Sequence, residues 1–466
     1  MGRKGGGRRL GRGFGSLWSA AAVSALGDGI VAAAAPLLVM SLTRDPVLVG
    51  LAVFVQQLPW LLLAPVSGVL VDRVDRRRLA VAANAARAGL TAVLAVAVYA
   101  DAVSLGLVYA VGLLLGSCAA LGDNASSALL PAVVDSADLP RANSRMFGTD
   151  SVLNRLCGPP LGAALFGVAA GLPLTVDALS FTGAAALVST LRLRPRTGAP
   201  SPAPVTQKPV PAAREPMSRQ FASSVRWLWA QPALRTLTLA LCLMNVTLLA
   251  GFSVMVLYAR EHLGLSEFGY GVLLSASAVG GLAGALVAPR LQARFSASLL
   301  LRVGLVLETL THVGLALAGS PWVAGAVLGG FGVHGAIWVS VDRTLVQRTV
   351  PDELRGRVNS VFMALAVGGS ALGALAGGPL ARAFGLTGPF WFSAVVMAAL
   401  TAFAWRPFGR RIDTPPRRPR RPDRRLTDRH PTRPSSDLRP GGVPSAPPPP
   451  RLRYTCWQRR REVGGG

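Results

Sequence analysis

Long apolar stretches constrain this chain most strongly. A bilayer core about 30 Å thick needs about 20 helical residues to cross it, and only helices or closed barrels satisfy the backbone inside lipid. The stretches are continuous rather than alternating, so we predict helices. The twelve predicted spans are 17–42, 46–71, 79–100, 104–130, 144–168, 171–191, 233–258, 267–289, 298–318, 321–342, 359–381 and 387–406. The expected fold class is therefore an all-α integral membrane protein with twelve transmembrane helices.

The composition agrees with a membrane protein and argues against several other classes. Only 15% of residues are charged, whereas soluble domains carry about 25%. A net charge of +26 would suit a nucleic-acid-binding protein, but the basic residues alternate with apolar spans, so we expect no nucleic-acid partner. The sequence contains no Walker A, HExxH or GxSxG motif, and its four cysteines show no metal spacing. We expect no catalysis, cofactor, metal or disulfide framework.

The two sets of six spans are related by an internal repeat. A shift of 216 residues superposes positions from three separate regions. The coincident pairs include Gly68 with Gly284, Asn143 with Asn359, and Gly162 with Gly378. Parallel six-span halves are a transporter architecture with the substrate site between the halves. The predicted parts are a basic N-terminal arm (1–16), a first half (17–191), a Pro-rich cytoplasmic linker (192–232), a second half (233–406) and a disordered Arg/Pro-rich tail (407–466).

Lys and Arg residues set the predicted orientation. With the N-terminus inside, the inner loops before the tail hold 26 Lys and Arg, and the outer loops hold three. Because positive residues favour the cytoplasmic side, we place both termini in the cytoplasm of a bacterial plasma membrane. The apolar run at 17–42 is too long for a signal peptide. The basic tail is also able to contact anionic lipid, or it is an extension without function.

The stretch "SGVLVDRVDRRRL" at 67–79 places six charges between two apolar spans. A positive-inside topology anchor explains its arginines. It does not explain Gly68, which permits close backbone approach, or Asp72. An anion at this position is able to accept hydrogen bonds from a neighbouring helix N-terminus and so to latch two halves together.

This stretch resembles the signature loop of the major facilitator superfamily, in which the loop gates alternating access. The matching positions are Gly68, Leu70, Asp72, Arg73, Arg76 and Arg77. Asp75 stands where the family usually has Gly. The twelve spans, the basic linker and the duplicated halves also fit this family up to about residue 406. The resemblance implies a membrane transporter that works as a monomer on a small-molecule substrate.

A second motif resembles a narrower branch of the family. "CGPPLGA" at 157–163 is similar to the antiporter motif of drug exporters, carried here by Gly158, Pro159 and Gly162. A helix kink that serves packing alone would equally explain these residues. "SALGDG", "LPRANSRMF" and "VPDELRGRVNSVF" also resemble the macrolide and multidrug efflux branch that is related to enterobactin exporters. That resemblance implies drug efflux, with protons as the second partner.

Ionisable residues inside spans are costly and therefore suggest function. Asp28 in span 1 and Arg155 in span 5 lie at similar depth near the predicted midplane. We expect them either to neutralise each other as a static pair or to take part in coupling. Asp123 and Asn124 lie in the inner half of span 4. In the family, spans 1 and 4 line the central cavity, so Asp28 and Asp123 are the leading candidates for a proton or substrate site.

Other polar residues within spans are weaker candidates. Gln56 and Gln57 in span 2, and His334 and Trp338 in span 10, are candidates for the substrate cavity, although His334 is equally explained by packing. Glu308 and His312 are four residues apart on one helix face of span 9, where we expect a structural pair.

Three functions fit the sequence. The first is export of amphipathic small molecules by alternating access, with proton antiport. The second is dedicated export of one natural product or siderophore. The third is a non-transporting membrane receptor or anchor, which would need neither Asp72 nor two conformational states.

Overall fold

The structure is a computed structural model. It describes residues 10–191 and 217–410, without the side chains of 64–73, 217–221, 352–353 and 410. Within these residues the chain forms helices and no strand. The N-terminal arm up to residue 9, most of the linker and the tail after residue 410 lie outside the described residues.

The described residues contain twelve spans, as predicted. Eleven helices of the described residues are each long and apolar enough to cross a membrane. Span 5 completes the twelve and runs as Leu139–Thr149, a π-helix at Asp150–Cys157, and Gly158–Val168. The other spans, numbered in chain order, are Gly11–Leu42, Pro46–Arg73, Arg76–Tyr99, Leu105–Val133, Leu172–Ser189, Pro232–Phe252, Glu267–Arg294, Ala297–Leu317, Pro321–Thr349, Asp352–Phe384 and Gly388–Arg410.

Several helix ends lie away from the predicted boundaries. Span 1 begins at Gly11, inside the predicted arm, and a further helix at Met217–Ala230 occupies the end of the predicted linker. Local chemistry fixes other starts. The hydroxyl of Ser104 accepts the N–H of Leu107, and that of Ser296 accepts the N–H of Leu299. These serines cap spans 4 and 9, because they satisfy N–H groups that have no partner within the helix.

The two halves repeat one packing arrangement. A Cβ placed on Gly162 of span 5 would lie 2.0 Å from the backbone oxygen of Ile30 in span 1. A Cβ on Gly373 of span 11 would lie 2.1 Å from the backbone oxygen of Val246 in span 7. In each half the fifth helix therefore lies directly on the backbone of the first, and only glycine allows this distance.

The halves meet at one end of the bundle, where spans 1 and 2 join. Asp45 in this turn forms an ion pair with Arg382 near the end of span 11. Close by, a Cβ on Gly378 would lie 2.5 Å from the backbone oxygen of Pro46. This end of the bundle is therefore closed by direct contact between the halves.

Candidate functional site

An ion pair lies inside the first half. Asp28 is near the middle of the 32-residue helix of span 1, and Arg87 is near the middle of the 24-residue helix of span 3. Nη2 of Arg87 donates to Oδ1 of Asp28 at 2.5 Å. The Asp28 side chain is 32% exposed and that of Arg87 is 12% exposed. The Asp28 side chain is thus half-buried, whereas the cation is largely enclosed.

Span 6 forms the buried wall behind Arg87. The guanidinium carbon lies 3.9 Å from the centre of the Phe181 ring, a cation–π contact. Asp177, one turn earlier on the same helix face, is 2% exposed and accepts a hydrogen bond from Ser180 at 3.3 Å. A Cβ on Gly27 would lie 2.4 Å from Oδ1 of Asp177. Gly27 therefore leaves the space in which Asp177 approaches span 1, next to Asp28.

Another carboxylate and a neighbouring amide lie on span 4. Asp123 of span 4 is exposed and lies within electrostatic range of Arg87, Asp28 and Asp150. Its neighbour Asn124 is also exposed and donates to the backbone oxygen one turn earlier at 2.9 Å. Three carboxylates, those of Asp28, Asp123 and Asp177, thus lie within electrostatic range of the enclosed Arg87.

Arg155 does not pair with Asp28, so the pairing suggested by the sequence is wrong. Nε of Arg155 instead lies 3.2 Å from Oδ2 of Asp150. The π-helix explains the difference, because its turn is longer than that of an α-helix and places residues five apart over one another. Arg155 is 68% exposed and its partner 38% exposed. The cation that holds Asp28 is Arg87.

The antiporter-like motif lies at a three-way contact. A Cβ on Gly158 would lie 2.5 Å from Cα of Gly29 in span 1, and a Cβ on Gly271 in span 8 would lie 2.5 Å from the backbone oxygen of Pro159. The motif therefore packs span 5 against its own half and against the other half.

A hydrogen bond between the halves accompanies this packing. Pro160 has no N–H, so it leaves the carbonyl of Leu156, four residues earlier, without its helical partner. The Ser275 hydroxyl of span 8 donates to that carbonyl at 2.7 Å.

The gating loop is described in part. Asp75, at the usual Gly position, caps span 3 by accepting the backbone N–H of Arg78 at 2.8 Å. Arg76 reaches the backbone oxygen of Ala128 at 3.5 Å. Arg77 donates to the carbonyl of Ser189 at the end of span 6. These two arginines tie the loop to spans 4 and 6 of the same half.

The remaining members of the loop, Gly68, Asp72 and Arg73, have side chains outside the described part of the structure. The latch attributed to Asp72 stays a prediction.

A second buried cluster lies in the other half. Glu308 of span 9 is 1% exposed, and its Oε2 lies 2.5 Å from Nε2 of His334 in span 10. His312 approaches the other carboxylate oxygen at 3.7 Å. Trp338, one turn after His334, is also buried. The structure thus places these residues in the interior of the second half, and Glu308 joins spans 9 and 10.

The glutamines of span 2 differ in exposure. Gln56 is exposed and Gln57 is half-buried. Neither forms part of the two ion clusters.

Sequence reasoning missed Arg87 and Asp177. Both lie inside predicted spans 3 and 6, so the rule that selected Asp28 also applied to them. Arg87 follows closely after an arginine-rich loop, and Asp177 lies near a span end, which made them less conspicuous than Asp28.

Comparison with known proteins gives the family. A family model described as "transmembrane secretion effector", within the major facilitator superfamily, matches residues 11–418. The multidrug efflux pump Tap of Mycolicibacterium fortuitum is 28% identical over 400 residues, which cover 83% of this chain and 93% of Tap. The enterobactin exporter EntS of Shigella boydii is 27% identical over 369 residues, 78% of this chain and 83% of EntS.

Solved structures share the fold. A bacterial homologue of the iron transporter ferroportin in an inward-facing state has a TM-score of 0.67 at 18% identity, covering 86% of this chain and all of that one. A bacterial Spinster homologue, also inward-facing, has a TM-score of 0.65 at 15% identity, covering 85% and 96%. The chain therefore belongs to the transmembrane secretion effector family, a family of exporters of the major facilitator superfamily.

Proposed function

We propose that this protein exports amphipathic small molecules from a bacterial cytoplasm by alternating access, driven by proton entry. The observation that carries the proposal is the Asp28–Arg87 pair, with a partly exposed carboxylate and an enclosed cation at mid-span. An antiporter needs a group that holds either a proton or a competing charge. Asp28 meets this requirement. When it takes up a proton it releases Arg87, and when it loses the proton its negative charge returns.

The closed end of the bundle supports an inward-facing state. The turn at Asp45 connects spans 1 and 2, and the orientation we propose puts it outside the cell. The ion pair with Arg382 then closes the outer side. Gln56, Asp123 and Asn124, which lie within spans but are exposed, would be reached from the cytoplasm in this state.

The relatives define two substrate hypotheses. Tap is named a multidrug efflux pump and EntS an enterobactin exporter, so both broad drug efflux and dedicated export of a natural product are consistent with the family. The carboxylates around Arg87 favour the first, because a pocket of this charge attracts cationic amphipathic molecules and repels acidic ones. A receptor or anchor without transport would not need a charge pair at mid-span inside its first half.

The test is efflux from a drug-sensitive bacterium and from energised everted vesicles, across a panel of cationic, neutral and acidic compounds. We expect Asp28→Asn to abolish uphill, proton-driven transport and to retain downhill exchange of a neutral substrate. Asp101→Asn is the matched control, since Asp101 is exposed at φ 51°, a conformation that Asn also tolerates. Full proton-driven efflux by Asp28→Asn at equal protein level would refute the coupling role, and no transport by the wild-type protein of any compound would favour the receptor.

A further inference from the structure

The guanidinium of Arg87 cannot lose its charge, since arginine stays protonated in proteins. When Asp28 takes up a proton, its charge-assisted bond to Arg87 is lost. Arg87 is only 12% exposed, and its Nε is buried without a hydrogen-bond partner. A buried cation without a counter-ion is strongly destabilising. Proton uptake by Asp28 is therefore favourable only if a second anion accepts Arg87.

We propose that Asp177 is this second partner, so that Arg87 moves between Asp28 and Asp177 as Asp28 loses and gains its proton. The inference rests on the proposed proton-coupled export. It assigns a positioning role to Arg87 and Asp177, which act on the proton carrier from inside the first half.

The geometry of span 6 favours this movement. Arg87 already lies on the Phe181 ring at 3.9 Å, and residues four apart on a helix lie about 5–6 Å from each other on one face. Asp177 is four residues before Phe181, so the guanidinium needs to slide along one turn only. A Cβ on Gly27 would lie 2.4 Å from Oδ1 of Asp177, so this glycine allows the Asp177 carboxylate to face span 1, where Asp28 holds Arg87.

The other carboxylates in range are less suited to receive Arg87. The charged groups that face the pair from the adjacent spans are Asp123, Asp150 and Asp177. Asp123 is exposed, and Asp150 already holds Arg155 at 3.2 Å. Asp177 is 2% exposed, so it gains most from a counter-ion.

The exchange is balanced in charge and protons. While Arg87 is on Asp28, the buried Asp177 has no cation beside it and holds a proton. One proton adds to a carboxylate oxygen of Asp28, Asp177 releases its own proton, and the N–H of Arg87 turns from the first carboxylate to the second, so each state has one ion pair and one protonated carboxyl group. No electrons are transferred and no other reactant is needed. Loss of the proton from Asp28 reverses these changes.

The test compares wild type, Asp28→Asn, Asp177→Asn and the double variant for accumulation in the membrane. Each single variant leaves Arg87 with one partner, so we expect both to accumulate as the wild type does. The double variant leaves Arg87 without either partner, and we expect its amount to fall at least severalfold. Failure of either single variant to accumulate, or normal accumulation of the double variant, would overturn the proposal.

Transport gives a second readout in everted vesicles, where luminal pH is varied. In Asp177→Asn, protonation of Asp28 strands Arg87, so the midpoint of the pH dependence should move to lower pH by about one unit or more. Asp123→Asn is the comparison variant, since it removes a negative charge within electrostatic range of Arg87 that forms no ion pair with it among the described residues. It should move the midpoint less, and the pair Asp28→Asn/Asp123→Asn should accumulate normally.

The outcomes separate the two proposals. If the wild type shows no proton-driven transport, the proposed function fails. If the wild type is proton-driven and Asp28→Asn is not, but Asp177→Asn and Asp123→Asn have the same pH profile, only the exchange of partners fails.

Discussion

The variant Gly162→Ala tests how closely span 5 packs on span 1. The added Cβ would lie 2.0 Å from the oxygen, 2.7 Å from the carbonyl carbon and 2.8 Å from Cα of Ile30. All three are backbone atoms, so no side-chain rotation relieves the overlap. The helices must separate by about 1 Å or more, which loses dispersion contacts along their interface.

Overpacking a close-packed interior costs about 1–3 kcal/mol, and we expect the upper end because the obstacle is a backbone. Gly148→Ala is the control, since it lies on the same span and a Cβ there meets nothing within 4 Å. That change should leave stability equal or raise it by about 0.5–1 kcal/mol. Thermal unfolding of both purified variants in detergent gives the comparison. Equal unfolding temperatures would show that spans 1 and 5 do not approach as described.

Two further predictions concern ion pairs. Glu308→Ala should lower the free energy of unfolding by about 3–5 kcal/mol, because it breaks a buried pair. Glu261→Ala removes one side of a partly exposed pair 3.9 Å long and should lower it by at most about 1 kcal/mol. Similar unfolding temperatures for the two variants would contradict the buried role of Glu308. Arg382→Gln should increase the labelling of Val47→Cys by an impermeant thiol reagent up to about fivefold, because an exposed ion pair contributes at most about 1 kcal/mol. Arg382→Lys keeps the charge and should leave the labelling unchanged. Unchanged labelling in Arg382→Gln would argue against a closed outer end.

Much of the fold could be predicted because lipid leaves few solutions. Twelve apolar stretches of spanning length are enough to give twelve spans, and the repeat at an offset of 216 residues pairs Ile30 with Val246. The structure gives both residues the same role, as the backbone against which a glycine of the fifth helix packs.

The partner of Asp28 could not be predicted, because depth in the membrane does not determine the direction of a side chain. Arg155 and Arg87 both lie well inside their spans. Which of them meets Asp28 depends on helix rotation, and the π-helix at Asp150–Cys157 turns Arg155 towards Asp150. The sequence shows two prolines after this segment, but it does not show which way the longer turn directs the residues before them.

The hydrogen bond from Ser275 to the Leu156 carbonyl affects how readily the halves can separate. A typical hydrogen bond contributes only about 0.5–1.5 kcal/mol net, because water replaces it when it breaks. If this contact opens into an aqueous cavity, a water molecule is able to take the place of the hydroxyl at little cost. If it opened towards lipid, the carbonyl would have no donor at all. Separation of the halves at this contact therefore costs less free energy towards water than towards lipid, so hydration favours one direction of opening.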